Sequence, residues 1–165
     1  LDEPYQHFQL AGRADLVAWT LEPATLLHIE NRTRFPNLGE AFGAFNAKRR
    51  WLASVLAERL EVRRGFQSVT HVLVGLWTSE VLHSVRMHPS SFRAVCPDGS
   101  VAFDAWIAGA PIPPGVTTTI LLFDPVPGTR SDRRRWVDPD GTARVRPRYA
   151  GYAEALAALQ AHGLA

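Results

Sequence analysis

Residues 71 to 77 read HVLVGLW, almost without a polar interruption. A strand with one face in water alternates polar and apolar residues. A run that is apolar on both faces has to be covered on both, as in a parallel or mixed sheet with helices above and below. TTTILLF, residues 117 to 123, reads as a second strand of this kind. Stretches with helical periodicity separate and precede these strands, and that alternation makes the fold class α/β. At 165 residues, 46% of them hydrophobic and 21% charged, the chain has material for one real core. A single compact domain with a small appendage is therefore expected.

Upstream of those strands, GRADLVAW (12 to 19) reads as one extended segment in which Asp15, Val17 and Trp19 share a face. TLEPAT (20 to 25) carries turn chemistry, so the apolar run from Leu26 folds back as the second strand of an antiparallel hairpin. In that strand a period of two groups His28, Glu30 and Arg32 on one face and Leu27, Ile29 and Asn31 on the other. Pro36, Asn37 as N-cap and Glu40 three residues later announce a helix. Leu38, Phe42, Phe45, Leu52, Val55 or Leu56, and Leu60 carry it to about residue 60 at three- and four-residue spacing. Another helix starts at Thr78 or Ser79 and stops before Pro89, a short one follows from Ser90, and residues 101 to 108 suit helix or strand equally. Residues 1 to 125 make up this α/β domain. Residues 126 to 165 read as a basic C-terminal extension, with a small hairpin turning at Asp138 to Gly141 and a short alanine-rich helix.

Glu30 demands an explanation, because a carboxylate inside an apolar strand needs partners. Asp15 on the neighbouring strand can converge on it, and Arg32 lies one pleat beyond it on the same face. Two carboxylates from adjacent strands can hold Mg²⁺ or Mn²⁺, hard cations that take oxygen ligands and keep waters for attack on phosphate. A cation beside them would neutralise charge building on the phosphoryl oxygens. The plainer alternative is a set of salt bridges from Asp15 and Glu30 to Arg13, Arg32 or Arg34 across the hairpin.

An Asp, a hairpin, an acid-x-base string and then a helix is the layout of the PD-(D/E)XK nuclease superfamily, and Asp15 with Glu30-Asn31-Arg32 resembles its signature. More closely, GRADLVAW…LLHIENRTRFPNLGEAFGAFNAKRRWLA is similar to the C-terminal domain of a family of actinobacterial helix-turn-helix proteins, over residues 12 to about 125. The resemblance implies a restriction-endonuclease-like fold, a mixed central sheet flanked by helices, and leaves the C-terminal extension unmatched. It implies Asp15, Glu30 and Arg32 as a catalytic set, with Asp15, Glu30 and the backbone carbonyl of Asn31 on Mg or Mn, and Glu3 of an N-terminal helix as a further acid. Arg32 departs from the family pattern, which has lysine there. Arginine keeps its charge, so it could stabilise an anion but could not readily take a proton from water.

Two functions follow from the resemblance. One is a weakened Mg-dependent deoxyribonuclease; the other is a degenerate nuclease fold retained for DNA binding in a transcriptional regulator whose helix-turn-helix lies upstream of Leu1. A non-catalytic dimerisation or sensing domain with no direct DNA contact is the alternative to both. DNA is the expected partner; the assembly is left open, with a homodimer suited to an enzyme that cuts both strands of a duplex.

Lys48, Arg49 and Arg50 interrupt the long helix as one basic cluster, and Arg133, Arg134 and Arg135 precede Trp136. Both clusters are candidates for nucleic-acid contact, since guanidinium forks grip phosphate and a ring beside them can stack. The plainer reading is a solvated helix face for the first and a solvated loop for the second. The net charge of only +2 adds little to the choice. His28 reads as a hydrogen-bonded neighbour of Glu30 or an approach to the metal, while His71, His83 and His88 have no metal-ligand spacing. The single cysteine, Cys96, excludes an internal disulfide and a Cys-rich zinc site. No segment approaches the roughly 18 to 20 apolar residues of a membrane span. The N-terminus lacks the basic start and apolar run of a secretory signal, so the expected location is the cytoplasm.

Overall fold

A computed structural model of the chain describes residues 3–7, 10–126, 136–139 and 145–163. It is a mixed α/β protein. Strands β1 (Glu3–His7) and β2 (Leu10–Ala14) form an antiparallel pair of their own. The central sheet has five strands in sequential order: β3 (Leu16–Leu21), β4 (Ala24–Arg32), β5 (Ser68–Leu76), β6 (Gly115–Phe123) and β7 (Trp136–Val137). β3 is antiparallel to β4, β4 and β5 are parallel, β5 and β6 are parallel, and β7 runs back along β6. The extended segment expected over 12 to 19 is thus two strands, broken by a bend at Asp15. Glu3, expected on a helix, lies in β1 instead.

The parallel strands need crossovers, and helices supply them. Helix α1 (Leu38–Arg59) joins β4 to β5. Its expected start is present: the Asn37 side chain accepts a hydrogen bond from the Glu40 backbone N–H at 3.1 Å. Helices α2 (Ser79–Met87), α3 (Pro89–Val95) and α4 (Val101–Ala108) join β5 to β6. Thr78 caps α2 through its hydroxyl, which accepts from the Val81 N–H at 3.2 Å. The segment 101 to 108 resolves as helix, ended by Gly109 at φ 63°.

Period two along β4, β5 and β6 sorts their side chains to two faces. On one face Leu26, Val69 and Val17 meet Leu52 and Leu56 of α1, while Leu73, Ile120 and Leu122 meet Phe45 of α1, Val81 of α2 and Phe92 of α3. On the other face Leu27, Ile29, Val72, Val74 and Leu121 pack against Phe103 of α4. The expected coverage of β5 on both sides is therefore present. Val145 joins the first face, so the segment after β7 returns to the same core before α5 (Tyr152–Ala161). No helix among the described residues is long and apolar enough to cross a membrane.

Gly75 fixes how closely α2 approaches the sheet. A Cβ there would lie 2.7 Å from a Val81 methyl and 3.3 Å from a Leu122 methyl. Gly75→Ala is expected to cost about 1–3 kcal/mol through overpacking, read as a lower urea midpoint with an unchanged m-value.

Candidate functional site

Glu30 sits near the end of β4 on the α1 face and is 0% exposed. Four groups converge on its carboxylate. His28 Nε2 lies 3.0 Å from Oε1, and because a carboxylate only accepts, this nitrogen donates. The Asp15 backbone N–H reaches the same oxygen at 3.4 Å. Lys48 Nζ, from the eleventh residue of α1, donates to Oε2 at 2.5 Å. Arg32 Nη2 stands 3.7 Å from Oε2. Burial on its own would raise the Glu30 pKa; hydrogen bonds from His28 and Lys48, with the charge of Lys48, outweigh it and hold the carboxyl below its ordinary value.

The network continues inward. His28 Nδ1 lies 3.0 Å from Nδ1 of His71, the residue opposite it on β5. One of these nitrogens must carry the shared proton and the other the lone pair. His71 is 1% exposed, and burial, followed by the electrostatic influence of the neighbouring His28 and of Arg49, pushes its pKa down to about 3. It is a neutral imidazole across the ordinary pH range. Phe45 closes the arrangement from α1, stacked on His28 with ring centroids 5.7 Å apart. His71, Glu30 and Lys48 thus form one buried polar chain between sheet and helix.

Of the residues expected to hold metal, Asp15 and Glu30 do come together, but through the Asp15 main chain. The exposed Asp15 carboxylate accepts from the Asn31 N–H at 2.8 Å. Asn31's carbonyl in turn accepts from Arg32 Nη1 at 3.2 Å. Arg32, expected as a third catalytic member, is therefore oriented by Glu30 and Asn31. The basic cluster of α1 does not present one solvated face. Lys48 is turned inward to Glu30. Arg49 Nη1 donates to the Val95 carbonyl at 2.7 Å and to Asn46 Oδ1 at 3.1 Å. Arg50 alone points outward, its guanidinium 4.9 Å from the Trp51 ring centroid. The expectations for Arg133, Arg134 and Arg135, and for most of the hairpin turn at 138 to 141, lie outside the described residues.

Two members of the chain escaped the sequence reading. Lys48 carried a signal: it lies three residues after Phe45 and four before Leu52, on the stripe that α1 buries. His71 carried only its place in an apolar strand, and its alignment with His28 needs the β4–β5 register.

Beside this chain a cleft of about 440 Å³ is lined by Asn31, Arg32, Arg34, Asn37, Glu40 and Ala44 among others. It exposes Arg32 and Arg34 together at the end of β4, next to the first turn of α1.

Among known proteins, no family model, no curated protein and no solved structure matches the chain.

The Mg²⁺ or Mn²⁺ implied by the sequence resemblance does not fit the donor set as it stands. Both Glu30 oxygens already accept from protein donors, and the Asp15 and Asn31 oxygens named above are engaged as well. Among the described residues no group of three or more His, Cys, Asp or Glu side chains is placed to hold a metal ion. What the arrangement can do without metal is hold a guanidinium at the mouth of the cleft.

Proposed function

We propose that this chain is a nuclease-like α/β module that binds the phosphate backbone of DNA without cutting it, as one half of a helix-turn-helix regulator would. One observation carries the reading: both oxygens of the buried Glu30 are taken by donors of the protein itself, Lys48 foremost. An acid committed in this way ties α1 to the sheet and steers Arg32; a substrate-bound metal would have to displace or share the oxygen that Lys48 holds. Arg32 and Arg34, side by side in the adjoining cleft, supply forks for phosphate oxygens.

Fluorescence anisotropy with a labelled DNA duplex in EDTA tests this. Binding should persist without divalent cations and weaken as salt rises. Arg34→Ala should weaken it across sequences alike and reduce the salt slope by about 1, the signature of one lost phosphate contact. An affinity for duplex that is undetectable even at low salt would sink the proposal.

A second reading, a weakened Mg-dependent endonuclease, is favoured by Lys48, which brings to Glu30 the lysine that position 32 lacks. Supercoiled plasmid with Mn²⁺ separates the two: nicking that disappears in Asp15→Ala and rises in Arg32→Lys supports the enzyme. Intact plasmid from both wild type and Arg32→Lys supports the binding module. A dimer in sedimentation that binds no duplex would make it a dimerisation or sensing domain instead.

A further inference from the structure

The face of the sheet away from Glu30 carries a second cleft, of about 630 Å³, where the β3–β4 turn meets the end of α4. That volume falls in the roughly 300–1,000 Å³ range of small-molecule sites. Pro23, Pro111 and Ile112 give it apolar walls, and the half-buried Trp106 stands among them. The Trp106 indole N–H is shielded from solvent and has no hydrogen-bond partner within the protein. An indole nitrogen only donates, so this wall asks for an acceptor. The hydroxyls of Thr70, Thr117 and Thr119 are buried without partners too, and period two along β5 and β6 puts all three on the α4 side. Among the described residues the unpaired buried side-chain groups thus gather on this one side of the sheet. The turn wall has the opposite need. Thr20 donates its one hydroxyl proton to the Pro23 carbonyl, so in its 2.7 Å bond with Thr25 the Thr25 hydroxyl is the donor. Thr25 keeps a lone pair for a further donor.

Charge points the same way. Glu22 is the only charged residue among the described ones that line the cleft. Helix α4 ends there with no basic residue in its last turn, so its carbonyl end adds partial negative charge. We propose that this cleft binds a small apolar amine, with its ammonium beside Glu22 and Thr25 and an acceptor atom on its body facing the Trp106 indole. An acid of the same shape would meet Glu22 and the helix end with like charge and is rejected. The inference does not rest on DNA binding, because the cleft lies at the start of β4 while Arg32 and Arg34 lie at and beyond its end. Loss of duplex affinity would overturn that function and leave the amine site standing.

The test is a titration of the whole ¹⁵N-labelled chain at neutral pH, followed by its proton–nitrogen spectrum. The probe is 4-methoxyphenethylamine, which joins an apolar ring to an ammonium and an ether oxygen; 4-methoxyphenylacetate is its anionic counterpart. The indole N–H signal that Trp106→Phe removes should shift saturably with the amine and stay in place with the acid at the same millimolar concentrations. Glu22→Gln, a change at an exposed turn that the fold tolerates, should weaken the amine by about fivefold, the worth of one exposed ion pair. Trp106→Phe should weaken it as well while leaving the rest of the spectrum that of the folded chain. If that variant does not fold, the Glu22→Gln comparison decides alone. The proposal is overturned by an amine that produces no saturable shift of the Trp106 signal, by an acid that binds as well as the amine, or by an affinity indifferent to Glu22→Gln.

Discussion

Lys48→Met is expected to destabilise the protein by about 3–5 kcal/mol, the cost of breaking a buried ion pair from one side. The thioether fills much of the space of the lysine stem, so the loss is electrostatic more than a cavity effect. Glu30 would keep His28 and, at 3.7 Å, Arg32, but its Oε2 would lose the 2.5 Å donor in a place no water shell reaches. A single domain of this size has about 5–15 kcal/mol in total, so the variant should unfold at far lower urea. Glu30→Gln in the same chain removes the stranded charge and should recover most of the loss. The coupling energy from that double-mutant cycle is the measurement to make. Near-additive losses would mean that Lys48 stabilises α1 through its stem alone and that the ion pair contributes nothing.

The lysine also marks how far the sequence could be read. Strand β5 was legible because the six consecutive residues after His71, VLVGLW, leave no polar face, and α1 because Asn37 and Glu40 announce it three residues apart. Segment 101 to 108, VAFDAWIA, resisted because a helix that is apolar nearly all round has no period to detect. β1 and β2 were hidden for another reason: they pair locally, His7 opposite Leu10, without an alternating pattern to announce them, and the break at Asp15 interrupts what looks like one run. At the site, the approach of Asp15 to Glu30 followed from strand pairing, but the side chain that dominates the acid did not. Charge argued that Lys48 belongs in water with Arg49 and Arg50. Helical phase argued that it lies between Phe45 and Leu52, and phase prevailed because a buried carboxylate was waiting on the facing strand. His71 needed a parallel register that local sequence does not encode.

Stability should fall steeply with acid, beginning near neutrality, and His71 should set the onset. Its pKa in the folded protein is about 3, whereas an unfolded chain protonates it near 6.5. Between those values the unfolded state binds a proton that the folded state refuses. Stability therefore rises with pH across that window and is lost as pH falls through it, at about 1.4 kcal/mol per pH unit from this group alone. Glu30 acts with the same sign lower down: its folded pKa lies below its unfolded one, so its contribution is present above the usual carboxylate value and disappears as pH falls through the folded one. His71→Gln keeps a group that can donate to or accept from His28 Nδ1 but cannot become a cation. Urea melts of both proteins between pH 7 and 4 should give a curve for the variant that is flatter than the wild type's over the whole range below about pH 6.5, with Glu30 steepening both curves alike at the acid end. An unchanged slope above pH 4.5 would mean that His71 charges freely in the fold, and the buried chain from His71 to Lys48 would then have to admit water.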